Sequence, residues 1–540
     1  MTSSRAGRLT RSLTGAAAVM AVAIAVSRIV GFGRVLVFSK TVGSTCLGDV
    51  YNTANLLPNV AFEVVAGGAL ASVVVPLLVG PLARQDAAEA GRVFSALVTW
   101  TVVVLVPVAV LLALLADPIV AVFLADKGAC GPAAVDVGAR MLRVFAPQVP
   151  MYGLAVVVGG ALQARRSYLP SAAAPILASA VVIPAYVLFA AISSGSTPLG
   201  ELSTRGELTL SVGTTLGVAA LTLGTVLPAL RRSVRLPLRP TLRFPAGAAV
   251  KARALAVAGL AAFLAQQGSA LVVTWLANRR GGAGAFTLYT WAWQLYLLPY
   301  AVLAVPLATS AFQRLATAAD VGDDAAYATT SARSTRLVVV ATCGGAALLT
   351  AAAVPIARAF VLGPGAGDAS SLAAGLVAFA PGLIGYGLVA HVGRALYARH
   401  RGRDAAVATV TGWVTVVVAD LMLVSLVPTD DVVAALGWGN SLGMTVAGAL
   451  LLAALVQRAG GASIAGLGRS AAVGVSAAAI AGAAGYLLGQ RFADVSFIGA
   501  VGGGAAAAAV ALLVFGAAVG VGDRSVLASL RDSRPRSTVS

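Results

Sequence analysis

The sequence predicts an all-α polytopic membrane protein of about fourteen transmembrane helices. Two observations predict that class and a third divides the chain. Of the 540 residues, 59% are hydrophobic and 11% charged, and the mean hydropathy is +0.91; water-soluble domains carry roughly 25% charged residues. Apolar runs of about twenty residues follow one another, each long enough to cross a hydrocarbon core of about 30 Å as a helix. A helix satisfies every backbone polar group within one segment, which lipid demands. Finally, Phe145–Arg165, FAPQVPMYGLAVVVGGALQAR, recurs as Phe379–Arg399, FAPGLIGYGLVAHVGRALYAR, with 12 of 21 positions identical. Shared low complexity does not explain Phe, Pro, Tyr and Arg matched at one offset, so the chain reads as an internal duplication.

Taken in order, the first element places Arg5, Arg8 and Arg11 before Gly15–Val26. That is the order of a signal peptide, but with so many later spans an uncleaved helix over 14–36 is expected. The next five spans are 50–80, 93–116, 138–163, 169–192 and 209–230. A second set of six covers 253–277, 284–312, 334–354, 371–397, 405–427 and 432–456. The repeated stretch falls on the fourth and tenth spans, so its copies share one orientation, as in two lobes related by an axis along the membrane normal. Leu56-Leu57-Pro58 in the second span is echoed by Leu297-Leu298-Pro299 in the eighth. These readings place a six-helix lobe at 1–232 and another at 233–460. Two extra transmembrane helices, 470–489 and 496–520, occupy 461–522, and 523–540 is a tail. Prolines such as Pro58, Pro76, Pro107, Pro175, Pro184, Pro299 and Pro306 interrupt spans, as bends for alternating access or as the ordinary composition of membrane helices.

Net charge is +18, with arginine supplying 35 of 38 basic residues. In a soluble protein that would point to nucleic acid. Here about 26 Lys and Arg fall in loops on one side, including Arg231, Arg232, Arg235, Arg239 and Arg243, and Arg399, Arg401 and Arg403. About seven fall on the other, among them Lys40, Lys127, Arg279 and Arg280. The bias places both termini in the cytoplasm and removes the case for nucleic acid. Abundant Arg, Ala and Gly match a GC-rich bacterial genome.

Ionisable groups inside spans are costly and mark functional candidates. The first helix carries Arg28 and Arg34, about 120° apart in azimuth and roughly 9 Å along the axis. Both can border one cavity, and an arginine fork suits phosphate; snorkelling, or pairing with Asp49 or Glu63 of the second span, is the structural reading. The fourth span carries Arg140 and Arg143, the tenth His391 and Arg394. Asp420 lies near the middle of the eleventh, with His391 and Arg394 on the neighbouring span, where a buried carboxylate suits a proton or sodium ion, or pairs with Arg394. Cys46 and Cys130 both fall in outer loops, so a disulfide is open, while Cys343 is apart. The two histidines, His391 and His400, make no zinc or triad site, and there is neither a phosphate-binding P-loop nor HExxH. No metal, cofactor or enzyme is expected, and GPGAG at 363–367 reads as an exposed turn.

Ser27–Pro76, SRIVGFGR…VGSTCLGDVYNTANLLPN…GGALASVVVP, resembles the N-terminal signature of the MurJ (MviN) lipid II flippases, in an actinobacterial form. The resemblance extends across the chain to PGLIGYG…LYAR in the tenth span. It implies membership of the multidrug/oligosaccharidyl-lipid/polysaccharide exporter superfamily, a bacterial plasma-membrane location and translocation of lipid-linked peptidoglycan precursor by alternating access. The family's first-helix arginines and following Asp carry over to Arg28, Arg34 and Asp49. Its two extra helices, a groove for the lipid tail, are the last two spans here. Two cavity arginines of well-studied members are Phe62 and Gln294 in this chain. The Asp often following the second arginine is Val35, and a carboxylate and a small-residue position in span two read as Glu63 and Gly67. Arg394, matched by Gly160 in the other copy, is a candidate substitute. Membrane potential, Na+ or H+ supplies the energy in this reading, with Asp420 and His391 as ion-coupling candidates; lipid II, membrane lipids and cell-wall synthesis proteins are its partners. The alternatives are export of another lipid-linked glycan or amphipathic compound, or a non-transporting cell-wall scaffold.

Overall fold

A computed structural model describes residues 3–125, 128–230, 238–244, 248–364 and 369–523, with side chains from Val22 onward except 66–69, 71–72 and 248–259. Lys127, Arg231, Arg232, Arg235, the end of the 363–367 turn and the tail arginines Arg524, Arg531, Arg534 and Arg536 lie outside the described residues. So do the side chains of Arg5, Arg8 and Arg11. Among the described residues every element is helical and no strand occurs.

The first half comprises α1 (Ser3–Thr41), α2 (Cys46–Phe62), a π-helical stretch (Glu63–Gly67), α3 (Gly68–Ala83), α4 (Ala87–Leu114) and α5 (Ala116–Leu124). It continues with α6 (Ala133–Phe145), α7 (Gln148–Ala164), α8 (Leu169–Ile192), α9 (Thr204–Ala229) and α10 (Ala248–Arg280). The second comprises α11 (Ala285–Pro299), another π-helical stretch (Tyr300–Ala304), α12 (Val305–Asp320), α13 (Asp324–Ala351), α14 (Ala353–Val361) and α15 (Ala369–Phe379). Then come α16 (Gly382–Ala398), α17 (Gly402–Leu426), α18 (Val432–Ala459), α19 (Leu467–Gly489) and α20 (Phe497–Gly522).

Twelve of these helices or fused pairs are long and apolar enough to cross a membrane. A thirteenth, expected over 371–397, is α15 and α16 bent by 43°. The bend falls at Ala380-Pro381, where proline lacks the N–H that would continue the ladder. The same Phe-Ala-Pro separates α6 from α7. The remaining expected span, 50–80, is α2 and α3 joined through the π stretch, a defect that widens a helix by one residue per turn and recurs at functional sites.

The chain forms two compact units, residues 1–267 with 363–365, and 268–362 with 366–540. The division falls inside α10 rather than in the loop near residue 232, and α19 and α20 group with the second unit. In the first unit Val73, Val74, Leu77 and Leu78 of α3 pack with Val93 and Leu97 of α4 and Val157 and Leu162 of α7. In the second, Leu315, Tyr327, Val339, Val392, Leu396, Leu451 and Leu455 form the core. Small residues seat the extra helices against α13: Ala347, Ala351, Ala481 and Ala511 are buried together. Small residues are what allow helices to approach closely where lipid supplies no hydrophobic drive.

Each unit repeats one aromatic arrangement. Phe145 meets Tyr51 edge-on at 5.7 Å, and Phe379 meets Tyr289 at 5.7 Å. Tyr152 lies 5.8 Å from Phe62, and its counterpart Tyr386 lies 4.2 Å from Tyr300. The duplicated tyrosine and phenylalanine thus hold equivalent seats.

Candidate functional site: an arginine over a tyrosine chain, and a buried carboxylate

In the first unit the site is built on α1. Phe38 lies one turn after Arg34, and residues four apart share a helix face. The Phe38 ring packs 5.2 Å from both Tyr51 of α2 and Tyr186 of α8. This brings half-buried Arg34 over those helices, close enough for its charge to act on the hydroxyls of Tyr51, Tyr152 and Tyr186.

The hydroxyls form a directed chain. Thr214 of α9 donates to the Leu210 carbonyl at 2.8 Å. Its oxygen is 2.6 Å from the Tyr51 hydroxyl, which lies 2.8 Å from that of Tyr186. A hydroxyl has one proton, so Tyr51 donates to Thr214 and Tyr186 donates to Tyr51. The Tyr152 hydroxyl donates to Gln148 Oε1 at 3.4 Å. The hydroxyls that feel the Arg34 charge are neutral groups and supply it no counter-charge.

Arg28 is exposed and lies about 80° around the helix from Phe38. Asp49 is fully buried in the first turn of α2, below the Thr45 side chain that accepts from Gly48 N. Arg84–Glu89, Arg140–Glu207, Arg143–Asp117, Arg399–Asp324 and Arg458–Asp404 are ion pairs, and Arg28 and Arg34 belong to none of these. The fourth-span arginines thus have structural partners: Arg140 forks onto buried Glu207 at 2.8–3.1 Å, and Arg143 reaches Asp117. Cys46 and Cys130 form a disulfide, tying the start of α2 to the turn before α6. Phe62 is buried against Tyr152, and Gln294 is exposed on α11.

The second unit separates residues that the sequence placed side by side. Arg394 is half-buried on α16, donates to the Ala390 carbonyl at 2.5 Å and lies within electrostatic reach of Tyr300 and His391. His391 is fully buried with Nε2 3.0 Å from Ser334 Oγ of α13. Ser334 spends its proton on the Thr330 carbonyl at 2.7 Å, so Nε2–H is the donor. His391 is thus a strut between two helices.

Asp420 is not at the middle of its helix. It is the nineteenth of the 25 residues of α17, about 27 Å from Gly402, whereas His391 is about 10 Å from the end of α16 on the same side. No hydrogen bond or ion pair joins Asp420 to His391 or Arg394 among the described residues. Asp420 is fully buried and neither carboxylate oxygen has a hydrogen-bond partner. It packs on Gly439 of α18, where an added Cβ would overlap Oδ1, and it acts electrostatically on Tyr289. The Asn440 amide nitrogen, one residue on, also lacks a partner. Among the described residues no three His, Cys, Asp or Glu side chains gather as a metal cluster. A single buried carboxylate without a hydrogen-bond partner suits a proton or a monovalent ion instead.

The sequence reading missed the hydroxyl chain, because Tyr51, Tyr186 and Thr214 lie on three spans with no shared spacing. The one available signal was polarity at Tyr51-Asn52-Thr53 inside an apolar span.

Comparison with known proteins agrees with this architecture. The chain is 27% identical over 327 residues to a protein of Rhizobium tropici described as "Probable lipid II flippase MurJ", covering 60% of this chain. It is 28% identical over 340 residues to a protein of the same description from Rhizobium meliloti, covering 62%. These matches span 58% and 60% of the two relatives' lengths. The fold matches a structure described as "Lipid II flippase MurJ, inward closed conformation" with TM-score 0.71, 16% identity, and 94% and 99% of the two chains covered. It also matches an inward-facing multidrug resistance transporter of the MATE family, of the MOP superfamily, with TM-score 0.67, 14% identity, and 82% and 96% coverage. A family model described as "Lipid II flippase MurJ" matches residues 38–500, and the chain belongs to that family.

Proposed function

We propose that the protein carries lipid II, a pyrophosphate-linked peptidoglycan precursor, from the cytoplasmic to the outer leaflet by alternating access. The observation that carries the reading is Arg34, an intramembrane guanidinium set over hydroxyl oxygens and joined to no carboxylate among the described residues. A charge in a membrane without a fixed counter-charge is costly, and a pyrophosphate supplies that counter-charge together with acceptors for the planar donor fork. Arg28 widens the cationic face, Asp49 positions the segment, and Arg394 is a further candidate contact for the precursor. Such transport makes and breaks no covalent bond.

Energy enters through Asp420 as H+ or Na+, or through the membrane potential acting on these charges. The orphaned carboxylate supports ion coupling, because burying it ionised and unpaired would cost several kcal/mol. His391, with Nε2 held by Ser334 and a buried Nδ1 that has no hydrogen-bond partner among the described residues, is a second candidate for that coupling. Both termini face the cytoplasm. The disulfide supports the same orientation, since Cys46 and Cys130 fall on the side assigned to the oxidising exterior. The lipid tail runs along α19 and α20, and cell-wall synthesis proteins supply and consume the cargo.

The test is flipping of fluorescent lipid II in proteoliposomes by wild type, Arg34→Ala and Arg34→Lys. Loss of a charge-assisted contact worth about 1.5–3 kcal/mol predicts a fall of about 10- to 150-fold for Arg34→Ala. Lysine should recover part of it. Wild-type flipping by Arg34→Ala would remove the central residue from this reading.

A further inference from the structure

Part of the segment between α9 and α10 is pinned along α4. Arg239 N donates to Ser95 Oγ at 2.9 Å and Thr241 N to Thr99 Oγ1 at 3.1 Å, while Trp100 Nε1 donates to the Leu242 carbonyl at 2.9 Å. We propose that this strap, residues 238–244 with Trp100, is a binding site for an anionic phospholipid of the surrounding bilayer. Its phosphate lies on Arg239 and Arg243, and its acyl chains lie against Leu238, Leu242 and Trp100.

The depth of the strap is set by α4. The exposed large apolar side chains of that helix begin at Trp100 and continue through Val103, Val106, Val110 and Leu114. On the other side of Trp100 the exposed residues of α4 are Ala87, Ala88 and Arg92. Trp100, 42% exposed, therefore marks the edge of the hydrocarbon, the depth that tryptophan favours. Ser95 lies five residues before it, about 7.5 Å closer to the water. The strap runs alongside, which holds Arg239 at head-group depth and Leu242 at the edge of the acyl chains.

The composition of the strap fits that depth. Leu238, Pro240, Leu242 and Phe244 alternate with Arg239, Thr241 and Arg243. Phe244 packs against the core shared by α3, α4 and α7 and anchors one end, whereas Leu238 and Leu242 are 55% and 50% exposed. Two open leucines beside two exposed arginines call for a ligand that is apolar at one end and anionic at the other. A free phosphate would leave the leucines in water. Neither arginine belongs to the ion pairs named above, and no Asp or Glu occurs from residue 208 to 319. The segment thus offers its guanidinium groups no carboxylate of its own. Basic residues at a membrane surface attract anionic lipid, and an arginine fork matches a phosphate.

The pinning separates this site from an ordinary basic loop. Backbone at membrane depth needs its polar groups satisfied within the protein. Pro240 has no N–H, those of Arg239 and Thr241 go to α4, and that of Arg243 goes to Thr241 Oγ1 at 3.2 Å. The arginines are therefore held in one place rather than carried on a free chain. Under the orientation proposed above the lipid belongs to the cytoplasmic leaflet; the site itself does not depend on that orientation.

The experiment is native mass spectrometry of the full chain titrated with phosphatidylglycerol or phosphatidylcholine, together with cross-linking by a phosphatidylglycerol that carries a diazirine next to its head group. The tightest phosphatidylglycerol should bind in preference to phosphatidylcholine, and cross-links should fall on the segments containing residues 92–103 and 238–244. Arg239→Gln combined with Arg243→Gln should weaken that phosphatidylglycerol about 30-fold, from about five-fold for each arginine near a membrane surface, and leave phosphatidylcholine unchanged. Arg401→Gln combined with Arg403→Gln, a second exposed basic pair, should alter neither. If the strap variant does not fold, the position of the cross-links decides. Cross-links spread evenly over lipid-facing helices, equal weakening by the Arg401 and Arg403 pair, phosphatidylglycerol binding indifferent to the strap variant, or capture of undecaprenyl pyrophosphate in place of phosphatidylglycerol would each overturn the proposal. The readout is binding of a bulk lipid, so it stands apart from whether lipid II is the cargo.

Discussion

The directed hydroxyl chain beneath Arg34 makes two conservative changes unequal. Tyr51→Phe removes the donor to Thr214 and the acceptor of Tyr186, both within the buried core of the first unit. The Tyr186 hydroxyl, 5% exposed as a residue, then loses the acceptor that it has in Tyr51. An orphaned buried donor costs about 1–3 kcal/mol and the lost bond to Thr214 about another 0.5–1.5, so Tyr51→Phe should destabilise by about 2–4 kcal/mol. Tyr186→Phe removes only the terminal donor, leaving Tyr51 still bonded to Thr214, and should cost about 0.5–1.5 kcal/mol. Thermal or denaturant unfolding of the purified chain in one detergent, with both single variants and the double, gives the comparison. The double variant should be less destabilised than the sum, because removing both partners orphans nothing. If Tyr186→Phe costs as much as Tyr51→Phe, the proton order is reversed. Arg34 would then face a donor, and it would no longer be the natural seat of an anion.

Other perturbations separate structural charges from functional ones. Arg140→Ala leaves Glu207, a side chain 6% exposed, without its forked partner, and should destabilise by about 3 kcal/mol or more. Arg143→Ala breaks a pair whose side chains are 42% and 57% exposed, and should cost at most about 1 kcal/mol in the same unfolding assay. Replacing Cys46 and Cys130 by Ser opens a closure spanning 84 residues, for which chain entropy sets an upper bound of about 4.5 kcal/mol. An impermeant maleimide added to intact cells should label the wild-type pair only after reduction. Gly439→Ala places a methyl where Asp420 Oδ1 now sits, and should abolish any dependence of flipping on Na+ or H+ as fully as Asp420→Asn does.

Much of the fold was legible because its cause is compositional. A bilayer leaves a long apolar run few alternatives to a helix, and all fourteen expected spans correspond to helical stretches. What escaped was the interruption of helices. The π stretches at Glu63–Gly67 and Tyr300–Ala304 leave no compositional mark, since either residue set would also continue an ordinary helix. The candidate residues that sequence could single out are those whose charge is expensive in a membrane, such as Arg34 and Asp420. The rest of the candidate site was illegible, being shared among ordinary side chains from several spans. His391 shows the limit: a histidine in an apolar span reads as a proton carrier, but the sequence could not show that its Nε2 meets Ser334 while its buried Nδ1 has no partner among the described residues. The depth of Asp420 was misjudged because α17 begins at Gly402 and ends at Leu426, so the carboxylate lies towards its far end.

The divergence of the two copies is the more instructive feature. Selection for packing alone would keep equivalent seats similar, as it has for Phe145 and Phe379, which both hold buried aromatic neighbours. One seat has instead become Gly160 in the first copy and Arg394 in the second. In the first, the adjacent π stretch follows Phe62 and the seat is closed by Val74 of α3. In the second, the π stretch begins at Tyr300, and an arginine stands within electrostatic reach of its hydroxyl. An intramembrane arginine must be solvated by its own helix, as the bond to the Ala390 carbonyl shows. At Gly160 a Cβ would come within 2.5 Å of Val74 Cγ1, so glycine there is what lets α3 approach α7. Arg394 has no such packing reason and carries the cost of an intramembrane charge. The two copies therefore diverge from different causes, close helix packing in the first and a tolerated charge in the second.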